Sequence, residues 1–338
     1  MLFSNYFDDA TMQDWEGEAF HSQACVSDLM RLLGSPWAPT KSQVSTKEGD
    51  FLGLMHDVSR TEEGVVHFWP RESLVSKVLN IISIAKEVGL PSGVASKLYG
   101  VVNFIETGMY GRIGRAGLWA IKDRQKEYGF DITFPISLSF ELLSDLFKLM
   151  PQREYLLWNR IRRRAVTASD AAYEGGRGSA GFLSVIDPRQ PEETRLGRAI
   201  SLPSSLYEIW GVRVTYIAQL ELLAVLVALT EVAGLIRGAN SIWFIDSIAA
   251  LMAVVKGSSG CHSLDQMAKL VHLACFAIRS VPYFEYVESK ANWADEISRE
   301  GTQGTWAPCN AFSIKECGVV VELFTLPNLA VVRIFEYL

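Results

Sequence analysis

From Ala165 onward, hydrophobic segments of strand length and helix length alternate along the chain, and this order constrains the fold most. The segments typical of strands are Ala165–Thr167, Gly181–Ile186, Arg198–Leu202, Ser241–Ile245 and Tyr283–Val287. The segments typical of helices are Tyr216–Leu235, Ile248–Lys256, Leu264–Ile278 and Trp293–Arg299. Three strands followed by a helix, a strand, helices, a strand and a helix predict an α/β fold with a mixed sheet.

The N-terminal half has a different pattern, which is mostly helical. Apolar residues at helical spacing form two stripes, one through Val78 and Ile82 and one through Leu98 and Val102. A strand-like run follows the N-terminal region at Phe51–Met55, and Pro151–Arg164 is predicted to be a linker. After Gly301 we expect a loop with short strands at Val319–Phe324 and Ala330–Phe335. The predicted regions are residues 1–60, 61–155, 156–300 and 301–338.

Composition excludes some classes of protein. The chain has 338 residues, 49% of them hydrophobic and 21% charged, which is typical of a globular protein of two or three domains. A net charge of −6 does not by itself indicate nucleic-acid binding. The five cysteines have no metal-ligand spacing and their number is odd, so we expect a reducing, intracellular setting. The most apolar stretch, Leu220–Ile236, contains Glu221 and Glu231, and we expect a buried helix there instead of a membrane span.

Four acidic residues lie at or near the ends of these hydrophobic elements: Asp170, Glu221, Asp246 and Asp295. Taken singly, each has an ordinary structural alternative. Asp170 fits a turn, Glu221 could point outward from its helix, Asp246 could cap the next helix, and Asp295 could form a capping box with Asn292. Together they favour a cluster of like charges, which divalent cations with oxygen ligands stabilise.

The surroundings of these acids resemble one known family. The stretches that carry the resemblance are Ser169-Asp-Ala171, Gln219-Leu-Glu-Leu-Leu-Ala224, Phe244-Ile-Asp-Ser-Ile-Ala-Ala-Leu251 and Glu288–Arg299. They are similar to the ribonuclease H domain of retroelement (retrotransposon) reverse transcriptases, and the ending Asn292-Trp-Ala-Asp295-Glu-Ile-Ser-Arg299 is the most specific of them. The similar region covers about Ala165 to Arg299.

The resemblance implies a ribonuclease H-like mixed sheet with helices. It also implies that Asp170, Glu221, Asp246 and Asp295 bind two Mg²⁺ ions, which Mn²⁺ could replace. The implied activity is hydrolysis of the RNA strand of an RNA–DNA hybrid.

A second resemblance concerns the N-terminal half. Tyr6-Phe-Asp8-Asp9 looks like the Tyr-x-Asp-Asp turn of reverse transcriptases, and Phe51-Leu-Gly53 resembles the primer grip that follows it. Leu90–Gln125 is similar to the thumb and connection of these polymerases. The resemblance implies a palm remnant and a mostly helical thumb and connection region. The fingers and most of the palm would then lie upstream of Met1, so primer extension by this chain alone is not expected, and the missing portion is an implied partner.

Basic residues cluster in two places that we regard as candidates for nucleic-acid binding. The first holds Lys97, Arg112 and Arg115, and the second holds Arg162 and Arg163. A surface that contacts the phosphate backbone and an ordinary solvated helical face are equally compatible with the first group.

One further departure from the family and three alternatives remain. Many ribonuclease H domains carry a mobile histidine shortly before the last aspartate, whereas residues 285–295 contain none and His272 fits a helix interior. A non-catalytic nucleic-acid-binding or assembly protein from a decayed retroelement is the main alternative. A proofreading exonuclease normally carries Asp-x-Glu on its first strand and is disfavoured, because Asp170 is followed by Ala171-Ala172. An integrase-like enzyme is disfavoured by the stretch Asn292–Arg299.

Overall fold

A computed structural model describes the chain from residue 2 to residue 325, with the exception of residues 7, 8, 16, 39, 41, 150, 151 and 158–162. Its first element is an antiparallel pair of strands, β1 (Leu2–Tyr6) and β2 (Asp9–Gln13). Tyr6 is paired with Asp9, whereas Asp8 lies outside the described residues. Tyr6 and Asp9 thus lie where two strands adjoin, and the polymerase-like role of this segment stays a prediction.

A second, four-stranded antiparallel sheet has the order β3-β4-β5-β6. Its strands are β3 (Glu48–Phe51), β4 (Leu54–Asp57), β5 (Val65–Pro70) and β6 (Arg153–Leu156). Two predictions were wrong here. Phe51–Met55 is not one strand but a hairpin, because Leu52 and Gly53 have φ of 51° and 75° and turn the chain. Pro151–Arg164 is not only a linker, because four of its residues pair with β5.

The helices of the N-terminal half are α1 (Ala19–Leu32), α2 (Glu72–Val88), α3 (Ser92–Ile105), α4 (Trp119–Arg124) and α5 (Phe134–Leu149). The predicted apolar stripes of α2 and α3 are buried, including Val78, Ile82, Leu98 and Val102. These side chains pack in one core with residues of α5.

The C-terminal half is built on a six-stranded sheet with the order β11-β10-β7-β8-β9-β12. Its strands are β7 (Arg164–Glu174), β8 (Arg177–Ile186), β9 (Thr194–Ile200), β10 (Asn240–Ile245), β11 (Val281–Tyr286) and β12 (Ser313–Cys317). The first three are antiparallel, β10 and β11 run parallel to β7, and β12 runs parallel to β9. The expected α/β fold with a mixed sheet is therefore confirmed.

The helices of this half are α6 (Ser205–Trp210), α7 (Ile217–Ile236), α8 (Ile248–Lys256), α9 (His262–Ala277), α10 (Asp295–Glu300), α11 (Trp306–Cys309) and α12 (Glu322–Thr325). Helix α7 packs against β7, β8 and α9. Among the described residues it alone is long and apolar enough to cross a membrane, with a mean hydropathy of 1.9. Because 78% of that apolar window is buried inside the fold, α7 is the predicted core helix.

The C-terminal tail differs from its prediction. The strand lies at Ser313–Cys317, ahead of the predicted Val319–Phe324, and α12 occupies the end of that segment. Ala330–Phe335 lies outside the described residues. β12 extends the sheet from the region after residue 300, so part of the proposed extension packs with the α/β half. The domain boundaries themselves stay a prediction.

Candidate metal centre

Asp170 lies in the middle of β7 and not at its end, which corrects the prediction that it follows a short strand. It is paired with Gly181 of β8, and its side chain is buried. A Cβ atom on Gly181 would lie 2.8 Å from Cγ2 of Ile297, so glycine allows α10 to pack closely over this strand pair. The chain turns further on, at Gly175 and Gly176, which both have positive φ.

Two residues of the segment Asn292–Arg299 hold the carboxylate of Asp170. The amide Nδ2 of Asn292 donates to Oδ1 of Asp170 at 3.2 Å and to the carbonyl oxygen of Ser169 at 2.9 Å. The hydroxyl of Ser298 donates to Oδ2 of Asp170. Both side chains are buried. The sequence indicated Asn292 only as a partner of Asp295 in a capping box and gave Ser298 no role, although both lie in the most specific motif.

Glu221 points into the protein from the first turn and a half of α7. Its side chain is buried, which excludes the alternative of an outward-pointing glutamate. Oε1 accepts a hydrogen bond of 3.1 Å from the backbone N–H of Ala171, the residue after Asp170. Oε2 is buried and has no hydrogen-bond partner among the described residues. An unpaired buried carboxylate oxygen is costly, so this atom indicates a missing cationic or hydrogen-bonding ligand.

Asp246 follows the last residue of β10 directly, as the sequence predicted. It does not cap the next helix, because Ser247 has that role and its Oγ accepts from the backbone N–H of Ala250 at 3.4 Å. Since β10 is parallel to β7 and paired with it, the end of β10 lies beside Ser169 and Asp170. The strand order therefore places Asp246 beside Asp170.

The three carboxylates of Asp170, Glu221 and Asp246 form one cluster. Each contributes an oxygen, and these oxygens lie within 4.8 Å of one another. Burial, with the nearby charges of Asp246 and Asp295, raises the pKa of Asp170 to about 7, while the hydrogen bond from Ser298 acts in the opposite direction. Burial and the same neighbouring carboxylates of Asp246 and Asp170 also raise the pKa of Glu221 well above its usual range.

The donor set fits hard divalent cations. Such ions take carboxylate oxygens, relieve like-charge repulsion, and would give Oε2 of Glu221 a partner. Asp170, Glu221 and Asp246 are the residues that would hold them. No described lysine or arginine forms an ion pair with these three carboxylates, so a bound cation or protonation would relieve their repulsion.

Asp295 is separate from this three-residue cluster. It is the first residue of α10, its side chain is 40% exposed, and its Oδ1 accepts a 2.9 Å hydrogen bond from Nε of Arg299. Arg299 also contacts Glu174 at 3.0 Å. The capping box with Asn292 is not formed, because the side-chain oxygen of Asn292 accepts from Ala294. Asp295 is nevertheless near enough for its charge to raise the pKa of Asp170.

The predicted nucleic-acid-binding residues are mostly engaged within the fold. Arg115 and Arg112 lie 2.7 and 3.6 Å from Oε2 of the buried Glu106. Arg163 pairs with Asp187 at 2.9 Å. Lys97 is exposed on α3, and Arg162 lies outside the described residues. Their roles toward nucleic acid stay predictions.

His272 lies in the interior of α9, as expected, and is not a mobile histidine beside the acids. It is buried, and its Nε2 lies 2.8 Å from the carbonyl oxygen of Val254. Burial lowers the pKa of His272 to about 4, so this side chain is neutral near pH 7 and donates to that carbonyl.

No family model matches the chain, and no curated protein matches it. Several solved structures are similar to it. The N-terminal RNase H domain of a Mycobacterium tuberculosis protein, studied as a fusion with maltose binding protein, is 15% identical. That alignment covers 44% of this chain and 98% of the domain, with a TM-score of 0.30.

Two structures of foamy viral protease-reverse transcriptase are also similar. The one in complex with double-stranded DNA is 13% identical, with 84% of this chain and 46% of that chain covered and a TM-score of 0.37. The one in complex with RNA/DNA hybrid is 9% identical, with 88% and 58% covered and a TM-score of 0.34. The alignments thus span about half of the viral chains. Because these TM-scores are all below 0.5, our description of the fold rests on the strand order and register of the sheet and not on these similarities.

Proposed function

We propose that this chain is a ribonuclease H-type endonuclease that hydrolyses the RNA strand of an RNA–DNA hybrid with divalent metal ions. The observation that carries the proposal is the convergence of Asp170, Glu221 and Asp246 from β7, α7 and the end of β10 to within 4.8 Å. The ribonuclease H-like order of the sheet brings them together. The segment Asn292–Arg299 then contacts the same carboxylate through Asn292 and Ser298.

In this proposal Asp170, Glu221 and Asp246 are the metal ligands, and Asp295 completes the site for a second ion from the start of α10. The ions are Mg²⁺, with Mn²⁺ as a substitute. When bound, they supply an activated water as nucleophile and stabilise the leaving 3′ oxygen. Asn292 and Ser298 orient Asp170, and the backbone N–H of Ala171 orients Glu221. The exposure of Asp295 suits a ligand at the mouth of the site, where substrate enters.

The parent protein in this proposal is a retroelement reverse transcriptase. The resemblance of the N-terminal half supports it, as does the β1–β2 hairpin with Tyr6 and Asp9 at its adjoining ends. RNA-directed DNA synthesis would belong to the parent polymerase with its remaining fingers and palm as partner, in an intracellular setting. The hybrid is the proposed nucleic-acid partner of the chain described here.

The test is cleavage of an RNA–DNA hybrid labelled on its RNA strand, with wild type, Asp246→Asn and Asp123→Asn prepared identically. Asp123 is exposed on α4 and serves as the matched control. We expect Mg²⁺-dependent cleavage by wild type and by Asp123→Asn. For Asp246→Asn we expect a loss of about a hundredfold or more, since a metal ligand contributes several kcal/mol to transition-state stabilisation.

Equal cleavage by wild type and Asp246→Asn would show that a contaminating nuclease or another site is responsible. Intact hybrid with all three proteins, together with tight hybrid binding, would favour the non-catalytic nucleic-acid-binding alternative. Single-stranded RNA and duplex DNA as substrates establish whether the hybrid is preferred.

A further inference from the structure

A small pocket lies between α4 and the N-terminal half of α9. Two stripes of polar and aromatic residues form its walls. Arg115, Trp119 and Lys122 lie on one stripe, and His262, Asp265 and Lys269 lie on the other. Within each stripe the spacing is that of one helical face, at i, i+3 or i+4, and i+7. The seam between the two faces lies at the protein surface, because Lys122 and His262 are exposed and Lys269 is half-buried.

Lys269 is the central cation of the pocket. It projects from the second turn of α9, and among the described residues no hydrogen bond or ion pair of its ammonium group is found. Burial lowers its pKa to about 8, because the charged form is poorly solvated there. Its charge also lowers the pKa of the neighbouring His262, whose own burial has the larger effect. Its side chain is half-buried, and a cation that has lost part of its hydration without gaining an acidic partner is stabilised by an anion.

The remaining charges leave the pocket positive. Arg115 donates from Nε to the buried Glu106, so one cation is balanced by one carboxylate. Asp265 accepts a hydrogen bond from the backbone N–H of Ser259, and it lies near enough to Lys122 for the lysine to lower its pKa, although burial raises it more. The three cations Arg115, Lys122 and Lys269 thus outnumber the two carboxylates, which belong to Glu106 and Asp265. The N-terminal end of α9 adds the partial positive charge of a helix dipole.

The size and walls of the pocket limit its ligand. Its volume is about 60 Å³, which accommodates a few waters or one small oxyanion, since a single water requires roughly 10–15 Å³. The rings of Trp119 and His262 pack with their centroids 4.6 Å apart and form one wall. Gly257 closes another side, because a Cβ there would lie 2.6 Å from Cβ of Arg112.

We propose that this pocket binds a phosphate group, with the ammonium groups of Lys269 and Lys122 as its charged donors. The group comes either from free inorganic phosphate or from the backbone of a bound nucleic acid. Lysine suits this ligand because its ammonium is a compact charge with three donors. The inference rests on residues outside the acidic cluster and stands independently of nuclease activity.

The test is titration of the full chain with inorganic phosphate by isothermal calorimetry, in EDTA and at constant ionic strength. EDTA removes divalent ions, so phosphate cannot bind through a metal at the acidic cluster. We expect saturable binding to wild type and to the control Lys77→Met, which alters an exposed lysine of α2. Lys269→Met, which keeps the length of the side chain without its charge, should weaken binding at least about tenfold. Lys122→Met should weaken it as well.

A second arm distinguishes the two sources of phosphate. A short RNA–DNA hybrid is titrated into the same proteins, again in EDTA. If the pocket holds a backbone phosphate, Lys269→Met weakens hybrid binding and inorganic phosphate competes with the hybrid. If it holds free phosphate, only the phosphate titration changes. Absence of phosphate binding by wild type, or equal binding by wild type and Lys269→Met, overturns the proposal.

Discussion

The hydroxyl of Ser298 donates a hydrogen bond to Oδ2 of Asp170, a carboxylate that lies 128 positions earlier in the chain. Asn292 donates to the other carboxylate oxygen, Oδ1. The most specific motif of the sequence therefore acts on the first acid of the cluster and not only through its own Asp295. The segment Asn292–Arg299 therefore holds Asp170 of the central strand β7 through the side chains of Asn292 and Ser298.

Ser298→Ala tests the role of the hydrogen bond from Ser298 to Asp170. A hydrogen bond to a charged acceptor contributes about 1.5–3 kcal/mol, so we expect hybrid cleavage to fall by about ten- to a hundredfold. The Mg²⁺ concentration for half-maximal cleavage should rise, because Asp170 is less well oriented. A purely structural loss would reduce the amount of active protein without changing that concentration. Ser289→Ala, at an exposed serine just before the motif, should behave as wild type.

Glu221→Gln should stabilise the protein when no metal is present. The substitution removes one of three mutually repelling carboxylates, two of them buried, so the melting temperature in EDTA should rise. The further rise caused by Mg²⁺ should shrink. For wild type that rise corresponds to roughly 2.7 kcal/mol when the ion is at about a hundred times its dissociation constant.

Glu231→Gln provides the matched control, because Glu231 lies on the same helix and pairs with Arg198 away from the cluster. It should respond to Mg²⁺ as wild type does, with a monovalent salt correcting for ionic strength. Identical Mg²⁺ responses of wild type and Glu221→Gln would remove Glu221 from the metal site.

His272 should make stability depend on pH below neutrality. Its pKa is about 4 in the fold and 6.5 in the unfolded chain, so the unfolded state binds the proton more tightly. The contribution of His272 is therefore complete above pH 6.5 and is lost as the pH falls toward 4, by up to about 3 kcal/mol. The difference in unfolding free energy between wild type and His272→Gln should change over this window, since glutamine can still donate to Val254.

NMR titration of the His272 ring in wild type checks the same point without a substitution. The neighbouring charge is Arg112, which also lowers the pKa of His272. A normal titration near pH 6.5 would mean that this histidine is solvated and not a core residue.

Lys269→Met should stabilise the phosphate-free protein at pH 7. The folded pKa of Lys269 is about 8, against 10.5 for an ordinary lysine, so burial penalises the charged form. That penalty is present below pH 8 and disappears as the pH rises through 8 to 10.5, and its removal is worth up to about 3 kcal/mol. Urea unfolding at pH 7 and pH 10 measures it. Lys77→Met should show no such pH-dependent gain, and an equal gain would locate the effect in surface charge.

The sequence predicted the sheet and its main helices because their apolar periodicity is strong. Helix α7 and strand β10 were placed to within a residue or two of their observed ends. The failures have physical causes. Strand β7 continues through Ser169 and Asp170 because its buried polar atoms are satisfied by distant residues, which local hydrophobicity does not reveal. Strand β6 is a short, polar edge strand held by pairing with β5.

Helix α5 was missed although its sequence contains a signal. Pro135 lies in its first turn, and Ile136, Phe140 and Phe147 follow at helical spacing and are buried. For the site, three of the four predicted acids converge because the strand order dictates it. The positions of Asn292 and Ser298 could not be derived from spacing, since their partner lies more than a hundred residues away.

The most direct test of the central claim is binding of Mn²⁺, followed by electron paramagnetic resonance, to wild type and to Asp246→Asn. Mn²⁺ substitutes for Mg²⁺ and is bound by the same carboxylate oxygens. We predict saturable binding to wild type and a loss of at least about tenfold in affinity for Asp246→Asn, with Asp123→Asn unchanged. Equal Mn²⁺ affinity of wild type and Asp246→Asn would contradict the assignment of Asp170, Glu221 and Asp246 as one metal site.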